Sequence, residues 1–400
     1  MNCITKPIFG LLLLLFVQPR QINAQEEFIQ PPAKMLTRIN FTQLTGGVVI
    51  LRASFGNFPD TLNFILDSGS SGISLDSATV AYLKLKPEAT DKTIRGIAGI
   101  KKVGFLYNQR LHFEGLTIDS LDFHVNDYSI LTTVYGEQID GIIGYSVLSR
   151  YIVKLDYDSL KLEFWSWGTI RYPRGGFLLK PILSTLPVEY ARVKDGNTIN
   201  ARFLHDIGAG VCLMLSKDFA EDSTILNKKR KLWSKEGEGV GGKIDMHLTV
   251  VKELKLGPYR FRNVPTYIFE DVYNVTSYPY LGGLIGNDIL RRFNTIINYD
   301  RRDIYLVPNS HYRDPFDYSY SGIELYFVNG LIEIGDVATG SPAEQAGLKE
   351  GDIVVAINNN FSQNLNQYKI ALQSASEKVR FIVKRNSELM QFDFKVKSIF

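Results

Sequence analysis

From Val48 onward the chain reads as short runs of β-branched and aromatic residues broken by Gly, Pro, Asn and Asp, which predicts strands and turns rather than long helices. Val48 to Phe55 and Thr61 to Leu66 flank a Gly-Asn-Phe-Pro turn. Tyr151 to Tyr157 and Leu160 to Trp165 flank Asp158-Ser159 and predict a hairpin. Helical stretches are short: Ser77 to Leu83, Ser146 to Arg150 and Asp288 to Arg292. One strand end breaks the pattern. In Phe64-Ile65-Leu66-Asp67-Ser68-Gly69-Ser70 an apolar run ends on an acid, and an ionised carboxylate beside buried side chains is costly unless it is paired or hydrogen-bonded.

The same pattern recurs roughly 140 residues later, an ordinary domain length. Phe64, Asp67 and Gly69 return as Phe203, Asp206 and Gly208 in Phe-Leu-His-Asp-Ile-Gly-Ala. Further on, DGIIGYSVLSRYIVKLDYD from Asp140 matches GGLIGNDILRRFNTIINYD from Gly282, with Gly144 aligned to Gly286 and Asp158 to Asp300. Between these blocks each copy has a Gly-rich tip followed by an alternating strand, beginning at Gly96 and at Gly239. The chain therefore duplicates a lobe. A pseudo-twofold axis between two lobes brings equivalent residues together, so Asp67 and Asp206 become each other's partners.

Composition adds limits. Four hundred residues, 45% of them hydrophobic, are enough for two or three cores. At the N-terminus Lys6, the apolar run Ile8 to Val17 and Ile22-Asn23-Ala24 form a secretory leader with cleavage expected after Ala24. The run is too short to span a bilayer; an uncleaved N-terminal anchor is the alternative. Losing the leader removes Lys6 and Arg20 and no acid, which leaves the chain near neutrality and argues against a nucleic-acid partner. Lys228-Lys229-Arg230-Lys231 is read as a solvated loop. Cys3 lies in the leader, so Cys212 stands alone and is read as a small core residue. The five histidines lack metal-ligand spacing, and neither a metal nor a cofactor is expected.

With these motifs in hand, the sequence resembles the bilobal aspartic proteases, and within them the retropepsin-like proteins of bacterial export. The likeness rests on Ile65-Leu66-Asp67-Ser68-Gly69-Ser70 and Leu204-His205-Asp206-Ile207-Gly208-Ala209, with Ile142-Ile143-Gly144 and Leu284-Ile285-Gly286. The resemblance implies a mainly β fold of two pseudo-twofold-related lobes, over about residues 36–175 and 176–310. It also implies a catalytic pair, Asp67 and Asp206, supported by Ser68, Gly69, Ser70, Gly208, Gly144 and Gly286. Two carboxyls in contact cannot both ionise cheaply and share a proton, for which the general description of aspartic proteases is the standing example. Gly96, Ile97, Ala98 and Gly99 are the expected flap; the second Gly-rich tip is not assigned one. The first tip lacks the Tyr of the pepsins, which favours retropepsins.

Two positions depart from the family pattern. Ser68 has the hydroxyl that follows the aspartate in the family, but Ile207 does not, so the lock between the two loops should be half built. Ala209 replaces the hydroxyl that Ser70 has, from which the shared proton is expected to sit mainly on Asp206. His205 should point to the other strand face and is read as structural.

After Pro308 a polar linker, Asn309 to Tyr320, leads to GSPAEQAGLKEGDIVVAINN, Gly340 to Asn359, which strongly resembles bacterial PDZ domains. The resemblance assigns 320–400 to a small α+β domain that binds an extended C-terminal peptide along a sheet edge. Its carboxylate loop and edge strand are expected at Ser321 to Leu325, with Gly322, Ile323 and Leu325 in contact with peptide, and its groove helix at Leu365 to Leu372. Together these readings describe an exported endopeptidase, periplasmic, envelope-associated or secreted, that acts on peptides or unfolded proteins. It would have no membrane span after leader cleavage. A catalytically silent peptide-binding protein and a cell-envelope scaffold are the alternatives.

Overall fold

The computed structural model describes residues 30–239 and 241–400; the expected leader, 1–24, lies outside the described residues. The chain is mostly strand. In the first lobe seven strands lie in the order Thr42–Gln43, Val49–Phe55, Thr61–Leu66, Gly141–Ile143, Ile73–Asp76, Leu116–Asn126 and Phe105–Phe113, and a further pairing of Val49–Phe55 with Phe105–Phe113 closes them into a barrel. The second lobe repeats this order with Pro187–Lys194, Thr198–Asp206, Gly283–Gly286, Leu213–Ser216, Tyr259–Phe269 and Gly242–Leu256, closed by Pro187–Lys194 against Gly242–Leu256. Trp233–Gly239 extends its edge.

One parallel pairing in each lobe sets the floor of the cleft. Gly141–Ile143 runs parallel to Thr61–Leu66, and Gly283–Gly286 runs parallel to Thr198–Asp206. The apolar strands on both sides leave little choice of register, because a one-residue slip would turn Phe64 or Phe203 out of the core. A six-stranded sheet then joins the lobes, with Ile152–Asp156 antiparallel to its counterpart Phe293–Asn298. Buried side chains from both lobes form one continuous core.

The C-terminal domain has its own core around Leu325, Ile334, Tyr368 and Phe381. Its sheet runs Ile323–Val328, Leu331–Val337, Ile353–Ile357, Lys378–Arg385 and Glu388–Lys395. Pro342–Ala346 forms a short helix that Ser341 caps and Gly347 ends at φ 99, the left-handed conformation that Gly adopts without a Cβ penalty. The linker is fixed to the second lobe. The fully buried Arg292 donates to Asp314 O at 2.5 Å and lies 4.2 Å from the Phe316 ring centroid.

Two helices were not expected. Ser129–Tyr135 reads locally as a strand because of Ile130, Thr132, Thr133 and Val134, yet it turns helical and ends at Gly136, φ 68. Lys217–Asp222 is capped by Ser216. No described helix is long and apolar enough to cross a membrane.

Candidate active site

Asp67 and Asp206 leave equivalent strands and meet at the axis between the lobes, where their carboxyls share a hydrogen bond. Each loop is shaped by backbone. The Gly69 N–H donates to Asp67 Oδ1 at 2.6 Å, and Gly208 and Ala209 N–H donate to Asp206 Oδ1 at 2.9 and 3.1 Å. A Cβ on Gly69 would stand 2.6 Å from Asp206 Oδ2, and one on Gly208 would strike the Asp67 carboxyl. These glycines are therefore required by the opposite aspartate. Gly144 and Gly286 lie one layer below, each closing its loop through paired backbone bonds: Tyr145 N–H to Ser70 O at 2.9 Å and Asn287 N–H to Ala209 O at 2.7 Å. A side chain at either position would run into Ser70 or Val211 carbonyl oxygen.

Only half of the hydroxyl lock exists between the loops. The buried Ser68 hydroxyl donates to His205 O at 2.6 Å and accepts from Ile207 N–H at 3.1 Å. Ile207 packs into the core and offers nothing in return.

Both carboxyls are raised above the ordinary range. For Asp67 burial is the largest cause, followed by the charge of Asp206 and their hydrogen bond, and it is lifted well above the usual value. For Asp206 burial also dominates, but the hydrogen bond from Asp67, two backbone N–H groups and the charge of His205 pull the other way. The pair therefore holds one shared proton, and the donors around its two members differ. Backbone donors serve both loops, and the Ser70 hydroxyl makes no hydrogen bond to Asp67.

Thr93–Gly96 and Gly99–Lys102 form a hairpin that turns at Ile97-Ala98, and Ile97 crosses the cleft to pack near Met214, Met246 and Phe269 of the second lobe. A second hairpin, Trp233–Gly239 with Gly242–Leu256, comes to meet it. A Cβ on Gly239 would stand 2.5 Å from Ile97, and the Gly241 backbone lies against Ala98 and Gly99. Both tips thus meet over the cleft, the second beside the hairpin expected as the flap.

A sequence description of the aspartyl protease family matches residues 52–147 and again 190–289, and one of the PDZ domain matches 333–385. Both lobes thus match the aspartyl protease family, and the C-terminal domain matches the PDZ family. Among curated proteins none matches closely enough to name a relative.

The PDZ domain is built into the protease. Its edge strand Ile323–Val328 holds the second hairpin: Glu324 pairs with Lys235, and the Tyr326 hydroxyl lies within hydrogen-bonding reach of Glu238 and, at 2.9 Å, of Glu236, sharing its one proton between them. On its other flank Lys369, in the helix Leu365–Ala371, donates to Val134 O at 2.6 Å in the first lobe. Gly322 adopts φ 80 with Ser341 packed against it; Ile323 and Leu325 are buried, Leu325 in the domain core. Ser321 to Leu325 also line a cavity of about 520 Å³ that Gly46, Gly210 and Lys235 of the protease close from the other side. The expected peptide groove thus faces the protease lobes. Neither Lys235 nor Glu324 was singled out from the sequence; alternation of charge in Lys235-Glu236-Gly237-Glu238 was the available signal.

Burial first, and the charge of Glu324 second, raise Glu238 to about 6. A carboxyl with a raised pKa in the folded state stabilises that state while protonated, and the contribution is lost as pH climbs through the raised value. Docking of the second hairpin should therefore loosen as pH rises from about 4.5 to about 6. Amide exchange in residues 233–239, corrected for its intrinsic pH dependence, should accelerate across that window, and Glu238→Gln should flatten the change. Separately, Ser68→Ala leaves His205 O and Ile207 N–H without their partner in a buried site, a loss of about 1–3 kcal/mol that chemical denaturation will measure.

Proposed function

We propose that the chain is an exported aspartic endopeptidase, with Asp67 and Asp206 as its catalytic pair and the PDZ domain as a recruiting site for peptide. One observation carries this reading: two carboxyls from equivalent loops share a hydrogen bond at the base of a cleft that two Gly-rich hairpins cover. Export is supported by the leader pattern at residues 1–24.

In this mechanism an extended peptide lies between the hairpins and the aspartates, with its main chain bonded to the hairpin backbone. The ionised Asp206 takes a proton from a water held between the carboxyls, and that water attacks the scissile carbonyl. The protonated Asp67 donates to the developing oxyanion, which lowers the barrier without a covalent intermediate. Collapse of the tetrahedral species sends a proton to the leaving amine, and the pair regains its single shared proton. Glycine at 69 and 208 keeps each loop clear of the opposite acid throughout.

Substitution of either acid separates this reading from a silent peptide-binding scaffold. Asp67→Asn and Asp206→Asn should each abolish cleavage of unfolded proteins across the pH range, while thermal unfolding stays level or improves because one buried acid is gone. Cleavage that survives at the wild-type rate in either variant would assign the acids a structural role.

The PDZ domain should also matter for small substrates, since its edge strand holds one of the two hairpins. A chain truncated before residue 320 is expected to lose kcat/KM on short peptides by about tenfold or more, on the order of 1.4 kcal/mol in transition-state stabilisation. Unchanged short-peptide kinetics in a folded truncation would make the domain a tether alone.

A further inference from the structure

A hydrogen-bonded histidine and glutamate shut away from water lie directly beside one of the two aspartates in the chain. His205 Nδ1 and Glu189 Oε1 are 3.0 Å apart, with side-chain exposures of 0% and 2%. His205 precedes Asp206, and Glu189 faces Phe203 from the neighbouring strand. The duplicated lobe supplies its own control. At the matching places stand Leu66, which precedes Asp67, and Leu51, which faces Phe64, both fully buried. One lobe uses two leucines where the other uses a carboxylate and an imidazole.

Stability does not account for the difference. A buried ion pair is commonly no more stable than apolar side chains of similar volume, and often less so by about 1–4 kcal/mol. This pair is also incompletely bonded, since His205 Nε2 and Glu189 Oε2 have no partner in the structure. What distinguishes it is its neighbour: the imidazole is hydrogen-bonded to the Glu189 carboxylate, and its protonated form would favour the ionised form of Asp206. The His205 carbonyl, meanwhile, accepts the Ser68 hydroxyl of the opposite loop at 2.6 Å. Side chain and backbone of one residue thus act on both halves of the pair.

We propose that Glu189 and His205 are a positioning pair that holds the negative charge of the catalytic dyad on Asp206 and leaves its proton on Asp67. They take the place of the loop hydroxyl that Ile207 does not supply. The inference rests on the reading of Asp67 and Asp206 as a dyad. Asp206 is faced by Asp67, by the N–H groups of Gly208 and Ala209, by His205, and by Tyr135 from the helix Ser129–Tyr135. Burial, then the charges of Glu238 and both aspartates, push the Tyr135 phenol up, so it stays neutral and does not compete for the dyad proton. The titratable side chain in contact with the imidazole is Glu189; the parallel strand Gly283–Gly286 brings only Leu284 and Ile285.

Three measurements test the pair. In the wild type, ¹⁵N shifts of His205 should report an imidazolium throughout the active pH range; a neutral ring overturns the proposal with no variant needed. The double variant E189L/H205L reproduces the leucines of the first lobe, and Glu189→Gln removes the carboxylate while retaining a hydrogen bond. With the positive charge lost, the Asp206 carboxyl should titrate at higher pH. The acidic limb of kcat/KM should then move up by about one pH unit in each variant, within the range that a neighbouring charge produces. A limb that stays in place or moves down, with kcat merely lowered, would reduce the pair to a packing role. The ¹³Cγ titration of the aspartates reads the same shift in a protein that cleaves nothing. Failure of the dyad reading, seen as absent cleavage with intact carboxyl titrations, therefore remains distinct from failure of this one.

Discussion

The contact between two acids at the pseudo-twofold axis governs the rest of this architecture. Carboxyls placed together in a half-buried site repel when both are ionised, and only a shared proton and a set of fixed donors make the arrangement tolerable. Those donors are backbone N–H groups of the two loops, which must approach closely enough to exclude any Cβ at Gly69 or Gly208. The loops in turn are held by the parallel strands beneath them, whose Gly144 and Gly286 let carbonyl groups of the loops come down onto the strand ends. Symmetry makes the contact, and small departures from symmetry give its two members unequal surroundings.

Those departures converge on the second lobe. Ile207 removes a hydroxyl, Ala209 removes another, and His205 with Glu189 places a polar, hydrogen-bonded pair where the first lobe is apolar. Duplicated lobes begin with equal environments for both acids. A single protonated form needs the environments to differ, and a buried charge acts more strongly than a hydroxyl because little solvent screens it.

The third domain reaches the same cleft from outside. Glu324 and Tyr326 lie on the edge strand along which a PDZ domain would take up peptide, and the same two side chains secure the second hairpin over the aspartates. Recognition and cleavage would therefore share a strand.

Much of this was legible without coordinates. Recurrence of Phe-x-x-Asp-x-Gly and of apolar-apolar-Gly exposed the duplication, and strand periodicity predicted the mainly β fold, because both signals are local or repeat along the chain. The twenty residues from Gly340 identified the PDZ domain in the same way. The helix Ser129–Tyr135 escaped because its β-branched residues favour a strand, and packing against the PDZ edge overrode that preference. A hydroxyl in the sequence says nothing about which donors face a carboxyl: backbone N–H groups of Gly69, Gly208 and Ala209, rather than the Ser70 hydroxyl, face the two acids. Glu189 lies 16 residues from His205, and Glu324 lies 89 from Lys235. Sequence determined the lobes, their strands and the two acids that a twofold axis would bring together. Tertiary structure alone decided which charges stand beside those acids and which domain holds the hairpin above them, because electrostatic and packing energies depend on distances between residues that no local pattern records.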